Sequence, residues 1–144
     1  METQNLIAKA EVAIHADAAK VWQALTDPAI IQQYMFGTKV ESDWKQGSAI
    51  VWKGEWKGKA YEDKGVITGI TPPQQLQYTH FSPLSGKEDK PENYHTVTIT
   101  LEKYGGGTRV TLQQDKNANE KSQQESQQNW QQMLQGLRDV VERG

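Results

Sequence analysis

Three features of this 144-residue chain predict an α+β fold in which one long C-terminal helix closes over a curved antiparallel sheet of six to seven strands. First, Trp130, Met133, Leu134, Leu137, Val140 and Val141 recur at helical spacing and form one apolar stripe. Second, nearly everything between Thr38 and Gln114 reads as short strands bounded by glycine and proline. Third, the segment after the first strand carries two short helices rather than a hairpin. Burying the helical stripe is worth on the order of 10 kcal/mol before entropy, at about 1.5 to 3 kcal/mol per side chain, and needs a large partner surface. The sheet supplies that surface, and a helix closing over a curved sheet makes a container.

The elements follow in order. Leu6, Ala8, Ala10, Val12 and Ile14 alternate with Ile7, Lys9, Glu11, Ala13 and His15, the period of a half-buried strand whose alanines leave room on the inner face. Asp17 caps a short helix carrying Val21, Trp22 and Leu25. Asp27-Pro28 stops that helix and starts another through Tyr34, and Gly37 ends the pair. Lys39 to Glu41 begins a second strand, Trp44 to Gly47 turns, and Ala49 to Trp56 forms a third strand interrupted at Gly54. After a turn at Lys57 to Lys59, a fourth strand runs from Ala60 to about Ile70, with bends expected at Gly65 and Gly69. Pro72-Pro73 breaks the chain before Leu76 to Phe81, and Ser82 to Asn93 is a charged loop expected to be mobile. Tyr94 to Glu102 and Thr108 to Gln114 form a hairpin around three glycines. From Asp115 to Asn129 almost nothing is apolar, so the helix is expected to enter as a glutamine-rich, solvated rod. One domain spanning 1–144 is expected.

The absence of cysteine removes disulfides, thiolate nucleophiles and cysteine-ligated metals, and suggests a cytoplasmic setting. The N-terminus lacks a signal pattern, and no apolar run approaches spanning length, so no membrane insertion is expected. A net charge of -2 gives no basic field for nucleic acid. Hydrophobic residues make up only 35%, yet five Trp and five Tyr supply burial area and point to an aromatic interior. No paired carboxylates, Ser-His-Asp pattern, phosphate loop or dinucleotide fingerprint occurs, and no cofactor is implied.

The histidines are the chief polar candidates. His80 shares strand parity with Leu76 and Tyr78, and His95 with Val97, Ile99 and Leu101, so both rings are expected on the concave face near the charged loop. Such a pair would bind a ligand carboxylate, relay a proton, or hold a metal with a third ligand; the plainer alternative is two rim histidines satisfied by backbone or water. His15, beside Asp17, reads as a surface residue. Trp44 reads as a lid over a small satellite core, and Trp22 and Trp130 read first as packing.

Val21-Trp-Gln-Ala-Leu-Thr-Asp-Pro28, Asp43-Trp-Lys-Gln-Gly47, Gly65-Val-Ile with Pro73 and Leu76-Gln-Tyr-Thr79, Gly107-Thr-Arg-Val-Thr-Leu112, and Asn129-Trp with Leu134 and Leu137 appear in an order that resembles one family. It is the family related to the activator of the heat-shock-protein-90 ATPase, a branch of the START-like, helix-grip superfamily that also includes polyketide cyclases. The resemblance covers almost the whole chain and corresponds to the activator's C-terminal half. It implies a helix-grip fold with a cavity that in relatives accommodates lipids, sterols, polyketides or plant hormones. Where relatives often carry a tryptophan near the end of the second short helix, this chain has Tyr34, followed by Met35-Phe36 at the expected mouth of the pocket. The candidate ligand contacts are therefore Tyr34, Phe36, Trp52, Trp56, Tyr78, His80, His95, Val97, Trp130, Met133, Leu134 and Leu137. The expected function is noncatalytic binding of a small hydrophobic molecule. The alternatives are a cyclase- or hydratase-like enzyme using His80, His95, Tyr78 or Tyr94, and a co-chaperone.

Overall fold

The computed structural model describes residues 6–35, 37–56, 58–82, 88–117 and 119–143, with the side chains of Trp56 and Pro91 outside that description. Its elements are β1 (Leu6–Ile14), α1 (Ala18–Thr26), α2 (Pro28–Tyr34), β2 (Lys39–Ser42), β3 (Ala49–Trp56), β4 (Lys59–Thr71), β5 (Gln75–His80), β6 (His95–Tyr104), β7 (Gly107–Asn117) and α3 (Glu120–Arg143). The strands form one seven-stranded sheet in the order β1-β7-β6-β5-β4-β3-β2, with every neighbouring pair antiparallel. α3 lies against the sheet, with β1 as its most extensive partner. This is the helix-grip arrangement.

Local chemistry sets the connector. The Asp17 carboxylate accepts from the Lys20 N–H at 2.9 Å and caps α1. Asp27 serves two helices: its N–H donates to the Gln23 carbonyl at the end of α1, and its carboxylate accepts from the Ala29 N–H at the start of α2. Pro28 follows at the first position of α2, where a missing N–H costs nothing. β1 buries Ala8, Ala10, Val12 and Ile14 and exposes the alternate residues. β4 is irregular between Ile67 and Gly69, near the expected bend. At Gly65 the β5 backbone comes so close that a Cβ would lie 1.7 Å from the Thr79 carbonyl oxygen, so only glycine fits.

Two features depart most from the sequence expectation. β7 continues to Asn117, because Asn117 is buried and its amide donates to the Leu6 and Gln114 carbonyls, which extends the β1–β7 ladder. The glutamines of α3 are also not simply solvated. β1 is an edge strand, and the Gln123 amide donates to the Ile7 carbonyl (2.8 Å). The Gln127 side chain accepts from the Lys9 N–H (3.3 Å), and Gln131 both accepts from the Glu11 N–H and donates to its carbonyl. Glu142 accepts from the His15 N–H at 2.9 Å. A glutamine stripe thus covers the free edge of the sheet.

The core runs from Ala10, Val12 and Ile14 of β1 through Leu76, Val97, Ile99, Val110 and Leu112 to Met133, Leu134, Leu137 and Val141 of α3. The described end of the charged loop is tied down: the Asn93 side chain donates to the Glu88 carbonyl, Tyr94 donates to Asp89, Lys64 pairs with Asp89, and Tyr94 stacks on Phe81.

Candidate functional site

A cleft opens where the segment after α2 meets β4 and the first half of α3. Its outer part, about 320 Å3, is walled by Met35, Thr38, Tyr61, Gln114, Ser126, Asn129, Trp130 and Met133. Met35, Thr38, Tyr61 and Trp130 also bound a middle cavity of about 80 Å3, together with Trp52, Asp63, Tyr78 and His80. An inner cavity of about 30 Å3, space for about two waters, lies among Leu25, Ile31, Tyr34, Val40, Trp44, Ile50, Leu76 and Ile99, and shares Met35, Trp52, Tyr78, Trp130 and Met133 with its neighbours. Volume falls steeply with depth, because aromatic rings fill the space expected to be hollow.

Trp52 organises the middle cavity. It is buried, and stands opposite Val40 on one side and Asp63 on the other in the β2–β3–β4 register. Its ring meets Tyr78 at 5.2 Å and the His80 imidazole edge-on at 5.0 Å between centroids. His80 Nε2 lies 3.0 Å from Asp63 Oδ2, while Asp63 Oδ1 is buried with no hydrogen-bond partner. A buried acceptor left in that state is disfavoured by roughly 1 to 3 kcal/mol. Nearby, the Tyr61 and Thr38 hydroxyls share a 2.7 Å hydrogen bond. The Tyr61 ring needs Gly54 beneath it, since a Cβ there would meet the phenol oxygen at 2.4 Å.

The remaining polar groups lock the walls. Trp130 Nε1 donates to the Gln114 side-chain oxygen, fixing the indole across the cleft. The Tyr34 hydroxyl donates to the Ala24 carbonyl at 2.8 Å and joins α2 to α1. Burial raises the Tyr78 hydroxyl well above its ordinary 10.0; burial, and secondarily Tyr78, does the same for Tyr34. Both stay protonated near neutrality, and neither is available as a base.

The structure brings Tyr34, Trp52, Tyr78, His80, Trp130 and Met133 together around the cleft. His80 and His95 are direct register partners, yet they do not act as a pair. His95 Nδ1 lies 2.9 Å from the Asp115 carbonyl oxygen on β7 and ties the strand end, whereas His80 turns to Asp63. Val97, Leu134 and Leu137 sit in packed core: all three are at most 1% exposed and none is among the residues lining the cleft. The cleft follows the helix only from Ser126 to Met133. Phe36 and the Trp56 side chain lie outside the described residues. Trp44, expected over a satellite core, instead packs against the main core and lines the inner cavity. Asp63, Tyr61, Thr38 and Gln114 were not among the sequence candidates. Counting back from Ile67 at period 2 puts Gly65, Asp63 and Tyr61 on the inner face, a signal available in the sequence. Among the described residues no group of three or more His, Asp or Glu side chains is placed to hold a metal.

Residues 15–142 match the family model described as activator of Hsp90 ATPase homolog 1-like protein. The chain belongs to that family. Within this activator-homolog family fold, the solution structure of ChR145 from Cytophaga hutchinsonii is 57% identical, with a TM-score of 0.87 over 99% of this chain and 97% of that one. CalU16 from Micromonospora echinospora matches at 20% identity and a TM-score of 0.71, over 98% of this chain and 87% of CalU16. DynU16, a protein of the dynemicin biosynthetic locus, matches at 16% identity and a TM-score of 0.79, over 96% of this chain and 48% of DynU16. At those identities the last two likenesses establish the shared fold. No curated protein sequence matches the chain significantly.

Proposed function

We propose that this protein binds a small, mainly hydrophobic molecule, without transforming it, in the cleft between the end of α2, β4 and the first half of α3. The observation that carries this reading is the graded cleft itself, in which Met35, Trp52, Tyr78, Trp130 and Met133 supply apolar wall and Thr38, Tyr61, Asp63, His80 and Gln114 supply placed polar groups. Aromatic and thioether walls with sparse, placed polar atoms are the usual chemistry of ligand pockets, and the outer volume falls at the small end of their range of roughly 300 to 1,000 Å3. A ligand of one or two fused rings suits that volume; a sterol or long lipid would require Met35 and α3 to part. The family's cavity-forming fold supports the same reading.

The test is titration with the neutral two-ring fluorophore 6-propionyl-2-dimethylaminonaphthalene, displaced by naphthalene. One-to-one binding is expected, together with its loss in Met133→Trp, which fills the cleft from α3 while the far-ultraviolet circular dichroism stays native. Equal affinity in Met133→Trp and wild type would put the site elsewhere, and no binding to the wild type would remove the reading.

A second reading, a cyclase- or hydratase-like enzyme, draws on the contact between His80 and Asp63 in the middle cavity, an acid–base pair beside apolar walls. A co-chaperone role rests on the family description alone.

A further inference from the structure

Asp63 changes what the middle cavity is able to recognise. Its carboxylate lines that cavity, with one oxygen held by His80 and the other buried without a donor. Around it stand Trp52, Tyr61, Tyr78 and Trp130, whose ring faces carry negative electrostatic potential. Among the described residues, no lysine or arginine lines any of the three parts of the cleft. A carboxylate, aromatic rings and a hydroxyl pair from Thr38 and Tyr61 therefore face the same small volume.

We propose that the middle cavity is a subsite for a hydrogen-bond donor, a hydroxyl or an ammonium, carried by the hydrophobic ligand, with Asp63 as the residue that reads it. A slight turn about the Asp63 Cβ–Cγ bond, a soft torsion, presents the unpartnered oxygen to such a group. The volume of about 80 Å3 accommodates one polar substituent while the ring system occupies the outer cleft. A ligand carboxylate is disfavoured there, because it meets the Asp63 carboxylate, with no lysine or arginine among the described lining residues to offset it and the His80 ring already engaged with Asp63. This reverses the preference that a free histidine pair would have produced.

The proposal rests on the binding reading above and deepens it. The experiment is a calorimetric titration of four probes sharing one ring system: naphthalene, 2-naphthol, 2-naphthylmethylamine and 2-naphthoate. The naphthol and the amine are expected to bind roughly tenfold or more tightly than naphthalene, the fold-change of one hydrogen bond to a charged acceptor, with the naphthoate weakest. In Asp63→Ala the ratio of naphthol or amine affinity to naphthalene affinity should fall to about one, and Asp63→Asn should restore part of it for the naphthol only. Equal binding of all four probes by the wild type, or tightest binding of the naphthoate, overturns the subsite and leaves the cleft. Failure of all four to bind overturns the cleft reading and the subsite with it. The wild-type ranking decides the question even if the Asp63 variants do not fold.

Discussion

Gly54 and Tyr61 show how one missing Cβ shapes the site. The two residues face each other across β3 and β4, and the phenol ring lies over the glycine, where its hydroxyl reaches Thr38. Gly54→Ala drives a methyl group into the end of that ring, which must swing away and give up the Thr38 bond. Losing one hydrogen bond costs about 1 kcal/mol, while replacing a strand glycine by alanine returns about 0.5 to 1 kcal/mol. The two effects nearly cancel. Urea unfolding of Gly54→Ala should therefore give a stability within about 1 kcal/mol of wild type and an unchanged m-value, whereas naphthalene affinity should change severalfold because Tyr61 walls both the outer and the middle cavity. A loss of more than about 3 kcal/mol would mean that the ring cannot yield and that the strand itself repacks.

At the scale of elements, the pairing of α3 with β1 rests on a coincidence of lengths. Four residues of helix rise about 6.0 Å and two residues of strand about 6.6 Å. A glutamine at every fourth helical position therefore stays in step with alternate residues of a strand running the same way, and Gln123, Gln127 and Gln131 meet Ile7, Lys9 and Glu11. Side-chain amides suit this task, since each carries both a donor and an acceptor and completes the free edge as a neighbouring strand would. An uncovered edge is a template for pairing with another chain. Replacing the three glutamines together with alanine should lower stability by about 1 to 3 kcal/mol, since alanine is at least as good a helix former and only the edge bonds are lost. It should also produce concentration-dependent self-association in sedimentation velocity. A triple variant that stays monomeric and equally stable would show the stripe to be incidental.

For the whole molecule, the fold was legible because its long-range pairings are written in short-range periods. Alternation along β1 and the stripe from Trp130 to Val141 named both layers, and Asp27-Pro28 marked the connector. The site was less legible, because its decisive contacts cross elements. The register did align His80 with His95, but nothing local reveals that one ring turns to Asp63 on β4 and the other to the Asp115 carbonyl on β7. Filling of the interior was hidden likewise, since cavity volume depends on how rings from α2, β3, β5 and α3 share space. That filling has a global consequence. Tyr34 and Tyr78 are both buried, and burial raises their folded-state pKa values above the unfolded value of 10.0. Above about pH 10 the unfolded chain releases these protons and the native state keeps them, so the native state binds more protons and stability falls as pH rises. Each tyrosine contributes up to about 1.4 kcal/mol per pH unit in that window, roughly 2.7 kcal/mol for the two. Lys53, Lys64 and Tyr94 are raised by their Glu41 and Asp89 partners and act in the same direction, but the lysines are exposed and Tyr94 only half-buried, so solvent screening reduces their share. The urea midpoint should therefore hold level to about pH 9.5 and drop steeply beyond pH 10. Absorbance at about 295 nm should show Tyr34 and Tyr78 ionising only as the chain unfolds. Tyr34→Phe combined with Tyr78→Phe should flatten most of the drop. Stability unchanged to about pH 11.5, or ionisation of both residues in the folded protein, would mean that the interior is wetter than these contacts allow.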